Sequence, residues 1–152
     1  MIFKGMKGKN KKQLFKRVLR YLSRNRLMAL GTARNNKPWL ATVFFAYDQN
    51  CNILFYSRED TRHCQYIAKN PHVSIAINED HGTAGFIKGL QTAGKASKVR
   101  QRDYKKYYAI YKKRFPWADT FASDHILYII KSTELHLIDQ KFFGHFFRVR
   151  IL

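Results

Sequence analysis

Acidic residues are scarce in this chain. Ten Asp and Glu stand against 29 Lys and Arg in 152 residues, which leaves a formal charge of +19. So large an imbalance implies attraction to something anionic: nucleic acid, acidic lipid or phosphorylated small molecules. Cysteine is nearly absent too. Cys51 and Cys64 form no CxxC pair, so a disulfide or zinc framework is not expected and both read as buried or half-buried thiols. No apolar run approaches the ~20 residues that span a bilayer. No apolar signal-like segment follows the basic N-terminus, so the cytoplasm is the expected location. None of the six histidines stands in a spacing such as HExxH, and no metal site is expected. The scattered acids define no Ser-His-Asp set. Internal repeats and low-complexity segments are also missing.

What is present suits one globular domain over residues 1–152, with 45% hydrophobic and 15% aromatic residues to build a core. The charge is uneven. Residues 1–26 hold ten Lys or Arg and no acid, and residues 95–114 hold nine with Asp103 alone against them. Residues 1–9 read as a basic tail. Residues 10–24 read as an amphipathic helix, with Leu14, Phe15, Val18, Leu19 and Leu22 on one face and Asn10 as its N-cap. Strands are predicted at Leu27–Ala33, Trp39–Tyr47, Asn52–Ser57, His72–Ile77, Ala84–Val99, His125–Ile138 and Phe146–Ile151. The turns between them fall at 35–38, 48–50 and 78–82. Gly85, Gly89 and Gly94 inside one long strand suggest the bends or bulges that close a barrel. Helices are predicted near Thr61–Lys69 and over 101–114. The fold class is mainly β with helical additions (α+β), as an antiparallel barrel of about six strands.

The stretch from Phe55 to Ile77, FYSREDTRHCQYIAKNPHVSIAI, carries the most functional information. A strand ends at Ser57-Arg58, a polar turn follows, and Thr61-Arg62-His63 opens a helix. The first amides of a helix lack internal partners and sit at the positive end of its dipole, so this order can bind a phosphate. Arg62 is either a phosphate ligand or a solvated first-turn arginine; Asp60 and Thr61 are alternative N-caps. GLQTAGKA (89–96) nearly matches a P-loop, but Ala96 stands at the hydroxyl position and no strand-to-helix context surrounds it, so a chance match is the better reading. Tyr104, Tyr107, Tyr108 and Tyr111, on the second basic helix, could stack on bases; packing on the domain is the more economical reading.

Three segments, GTARNNKPWLATVFFAYD (31–48), LFYSREDTRHCQYIAKNPHVSIAI (54–77) and IKGLQTAGKASKV (87–99), resemble the pyridoxamine-phosphate-oxidase-like FMN-binding split-barrel superfamily. YKKRFPWA (111–118) and LYIIKSTELHLIDQKFFGHFFRVRI (127–151), with its late FGH, narrow the resemblance to the YhbP-like branch. The resemblance implies a homodimer of six-stranded antiparallel split β-barrels, with FMN in clefts at the dimer interface. Carried over by position, it places the phosphate at Ser57, Arg58, Thr61, Arg62 and His63, the flavin ring at Thr42, Val43 and Phe44, and a polar contact at Gln91. Many members carry a lysine where this chain has His63, and the C-terminal motif of true pyridoxamine phosphate oxidases is replaced by FFGHFFRVRIL. The function this implies is an FMN-dependent oxidoreductase acting on a small molecule other than pyridoxamine phosphate. Haem, pyridoxal phosphate or a deazaflavin are alternative occupants. The rival reading is a non-enzymatic module that holds nucleic acid or another anion through its basic tail, with a vestigial cofactor cleft.

Overall fold

The computed structural model describes residues 8–79, 86–144 and 148–152, with side chains from residue 11 onward. Most of the tail at 1–9, the turn near 78–82 with His81, the strand start at 84–85 and His145 of the FGH motif lie outside the described residues. The first helix, α1, spans Gly8–Arg24, so Asn10 lies within it and is not its cap. Val18 and Leu22 have no exposed surface. At the usual ~1.5–3 kcal/mol for burying a side chain of this size, they anchor the helix despite its charge.

Among the described residues eight strands form one antiparallel sheet: β1 (Leu27–Arg34), β2 (Lys37–Phe44), β3 (Ala46–Tyr47), β4 (Ile53–Arg58), β5 (His72–Asn78), β6 (Lys88–Lys98), β7 (His125–Asp139) and β8 (Arg148–Arg150). Their order is β2-β1-β5-β6-β7-β4-β3, with β8 on β7. Six strands are long, as expected; the other two, β3 and β8, have two and three residues. The stretch read as a single strand over Trp39–Tyr47 is broken at Phe45, where the chain leaves β1 and joins β4. The sheet curls until β2, at one edge, approaches β4 near the other. This is the split barrel.

Local chemistry sets the joints. Asn35 and Asn36 adopt φ of 50° and 59°, and Arg34 pairs with Lys37, giving a two-residue hairpin loop. Asp48 accepts from the amides of Asn50 and Asn52, both at 2.9 Å, and Cys51 at φ 59° completes that turn. Burial pushes the Cys51 thiol up to about 12, consistent with the buried reading. GLQTAGKA lies along β6, which rules out a P-loop there. Opposite it, Ala93 pairs with Glu134 and Gly94 with Ser132, so Thr133 bulges out of β7. This is the interruption expected near Ser132-Thr133.

β4 is buried on both faces. Phe55 faces the barrel core with Leu30, Ile77, Leu90 and Ile130. Leu54 and Tyr56 face a second cluster with Leu127, Tyr111 and Phe115. That cluster is roofed by α3 (Gln101–Arg114) and the 3₁₀ segment Pro116–Phe121. Tyr104, Tyr107 and Tyr108 pack against it, which supports their packing role. α2 (Arg62–Lys69) covers β1 and β2, burying His63, Cys64 and Ile67. A last short helix, α4 (Gln140–Phe143), follows β7. Among the described residues no helix is long and apolar enough to cross a membrane.

Candidate functional site

Side chains alternate along β4, and this alternation divides the expected site. Phe55 and Ser57 face α2, whereas Tyr56 and Arg58 face the second cluster. Ser57 is buried at the strand end, its Oγ 2.8 Å from Nε2 of His63. Thr61 completes the group: its Oγ1 lies 3.2 Å from the same ring nitrogen and donates to the Arg58 carbonyl at 2.8 Å. Thr61 occupies the N-cap position of α2 but its side chain does not cap, so the first-turn amides keep their donor capacity.

Burial lowers the pKa of His63, so the folded protein holds a neutral imidazole at this position. The sign follows directly. The unfolded chain takes up this proton near pH 6.5, the folded chain only at lower pH. Stability is therefore complete above about 6.5 and declines as pH falls toward the folded value. His63→Gln is expected to flatten this part of the profile. Urea midpoints of both proteins at pH 7.5, 6.5 and 5.5 check it; a constant difference between the two would contradict it.

The cations are already engaged. Arg58 Nε donates to Asp60 Oδ1 at 3.0 Å, and its Nη1 lies 3.9 Å from Asp124. The bond from Arg58 holds the Asp60 carboxyl below the ordinary carboxylate range. Arg62 is exposed, yet its guanidinium stacks over the Trp39 ring, 4.1 Å from the centroid, and so packs on the barrel wall at β2.

On the Tyr56 side of β4 lies a cleft of about 570 Å³. Thr42, Val43 and Phe44 form one wall, while Tyr56, Tyr111, Trp117, Phe121 and His125 form the others. Phe44 meets Trp117 edge-on at 5.2 Å between ring centroids. His125 pairs in register with Arg58 and sits 5.3 Å from the Tyr56 ring. Its Nδ1 lies 2.6 Å from Asp124 Oδ1. The Tyr56 hydroxyl is buried without a hydrogen-bond partner, and burial with the nearby Tyr104 phenol pushes its pKa upward.

The structure thus brings Thr42, Val43 and Phe44 to one cleft, while Arg58 lies outside its lining, beside His125 and bonded to Asp60. Ser57, Thr61 and His63 cluster on the other face of β4. Arg62 lies on Trp39. Gln91 occupies a separate groove on the outer face of the sheet, with Leu40, Ser74 and His136, where it accepts a bond from Arg148 at 3.2 Å. Sequence reasoning missed the Asp124–His125 pair and the aromatic wall. Adjacent acid and histidine before a strand was the one available signal. Among the described residues no three His, Cys, Asp or Glu converge as a metal site.

Residues 14–135 match the family model of pyridoxamine 5'-phosphate oxidase. A UPF0306 protein of Klebsiella pneumoniae is 31% identical over 101 residues, covering 65% of this chain and 68% of that one. Among solved structures, a haem-binding protein from Mycobacterium smegmatis superposes with a TM-score of 0.73 at 15% identity, over 86% of this chain and 55% of that one. A FAD-binding protein from Mesorhizobium loti gives 0.66 at 17% identity, over 79% and 88%. The chain spans only 50% of a superposable Agrobacterium tumefaciens protein of unknown function. At these identities the structural likeness is one of fold.

Proposed function

The chain belongs to the pyridoxamine 5'-phosphate oxidase family and to the UPF0306 proteins, and on that premise we propose that it binds FMN in the aromatic cleft and acts as an oxidoreductase on a small molecule. The cleft carries this reading: Thr42–Phe44, Tyr56 and Trp117 offer flat apolar walls, with Arg58 and His125 paired at one end. The donor set suits the group. Aromatic walls accept a planar ring, and a phosphate reaching past the end of β4 would meet Arg58 and the uncapped amides of α2, with Thr61, whose hydroxyl donates to the Arg58 carbonyl, beside them. Ser57 and His63 hold Thr61 in place, and Arg62 packs on Trp39 of β2, outside the cleft. A flavin bound there supplies the redox chemistry. The chain binds and orients it, and its apolar walls exclude water.

Two copies are proposed to associate through the outer face of β2, whose Leu40 is 64% and Phe44 44% exposed on an edge strand. In that arrangement Gln91 serves the partner's cofactor, and sedimentation showing only monomer removes this part. The C-terminal replacement noted above argues against pyridoxamine phosphate as the substrate. The whole chain acts as one domain, since α1, Val149 and Ile151 share the barrel core.

Titration with FMN is expected to quench flavin fluorescence and raise Tm. Arg58→Ala should weaken binding roughly tenfold, the scale of one charge-assisted contact. No quenching and an unchanged Tm in excess FMN would remove the proposal. Haem is the second reading, favoured by His125. A carboxylate on Nδ1 fixes the ring and leaves Nε2 as the ligating atom. Hemin titration of the same protein decides between them: a Soret shift lost in His125→Ala, without flavin quenching, selects haem.

A further inference from the structure

Far from the aromatic cleft, the end of the sheet where α1, β6 and α4 meet combines cations with exposed apolar tips. Two adjoining hollows, of about 370 and 840 Å³, share Arg17 and Phe142. Lys16 and Arg20 line the first, and Lys88 and Lys141 the second. Ile87 and Phe142 protrude from the rim, 57% and 59% exposed. Asp139 is the only acid lining either hollow among the described residues. It is buried, accepts from the Phe142 amide at 3.1 Å and lies 3.7 Å from Arg17, so it balances that guanidinium, and Lys16, Arg20, Lys88 and Lys141 are the other charges lining the hollows among the described residues.

We propose that this patch docks the protein on an anionic phospholipid surface, with Ile87 and Phe142 entering the headgroup boundary and the five cations around them meeting lipid phosphates. Charge complementarity and apolar tips together are what an interfacial surface requires. A single-stranded nucleic acid fits less well. Ile87 has no ring to stack, and one face of Phe142 is taken by the Arg17 guanidinium, 3.8 Å from its centroid. A second copy is disfavoured, because a symmetric contact would set these cations against their equals. The inference is independent of which cofactor the cleft holds.

Flotation of the full chain with phosphatidylcholine vesicles, with and without 30 mol% phosphatidylglycerol (about one lipid in three, enough for a negative surface potential), tests it. The protein is expected to float only with the anionic vesicles. Ile87→Ser combined with Phe142→Ser should reduce that binding at least tenfold while leaving Tm and affinity for a fluorescent single-stranded oligonucleotide unchanged. Both positions are exposed, so the variant should fold; Lys16→Gln with Lys141→Gln gives a second, electrostatic arm with the same expected loss. Three results overturn the proposal: no flotation, full retention in the serine variant, or oligonucleotide binding that is lost in parallel with vesicle binding.

Discussion

Gly94→Ala is expected to destabilise the protein by about 3 kcal/mol, at the upper end for inserting a methyl into a packed site. For a chain of this length that lowers Tm by roughly 6–12 °C. A Cβ at Gly94 would lie 2.4 Å from the Lys131 carbonyl oxygen and 3.0 Å from Cγ2 of Ile130. The first is backbone in the middle of β7 and the second belongs to a fully buried side chain, so neither can move aside. Gly31→Ala provides the contrast. Its Cβ would meet Ser74 Oγ at 2.5 Å, but a serine hydroxyl on the outer face can rotate away. Thermal melts of the two variants therefore should differ widely; equal shifts would show that the β6–β7 bulge is softer than described.

Tyr111→Ala is expected to cost about 3–5 kcal/mol, as for other large aromatic truncations. Tyr111 is 1% exposed and is the one buried side chain of α3. It packs between Tyr56 and Phe115 at 5.6 and 5.0 Å between ring centroids. Its loss should undock α3, and the consequences reach two further places. Arg114, at the end of α3, donates to the Leu22 carbonyl at 2.9 Å and also to that of Asn25, satisfying the C-terminal end of α1. Tyr111 also lines the cleft, so ligand binding should fall with it. Near-UV circular dichroism and a urea midpoint measure the effect. A variant with native aromatic ellipticity and a Tm within 2 °C of wild type, less than ~1 kcal/mol for this size, would show that α3 docks by other contacts.

The fold was largely legible because its signals are local. β-branched and aromatic runs bounded by turn residues placed the long strands, and the 3.6-residue period placed α1. Asn35-Asn36 and Asp48–Asn50 marked turns through side-chain chemistry that acts over two to four residues. The misreadings were local competitions as well. Phe45 fits the β-branched and aromatic run around it, yet the run must break there for the chain to cross from one sheet edge to the other. Only its pairing partners reveal this.

The site was legible in part. The order strand, turn, helix start placed Ser57, Arg58, Thr61 and His63 at one strand-to-helix junction, but not which of them share a face. Nor could sequence show that Arg62 would spend its guanidinium on Trp39, 23 positions earlier. The cleft joins β2, β4, the end of α3, the 3₁₀ segment and the start of β7. Its walls come from residues more than eighty positions apart.

Sequence alone determined the charge, the element types and the polar, cationic composition of the β4–α2 junction. Each of these is a property of neighbours along the chain. Only the tertiary structure decided that Arg58 turns toward Asp60 and Asp124 while Ser57 turns toward His63, and that the Asp124–His125 pair sits beside Tyr56. The closing of a twisted sheet brings distant strands together, and which distant side chains then meet depends on strand order and register, which no local pattern encodes.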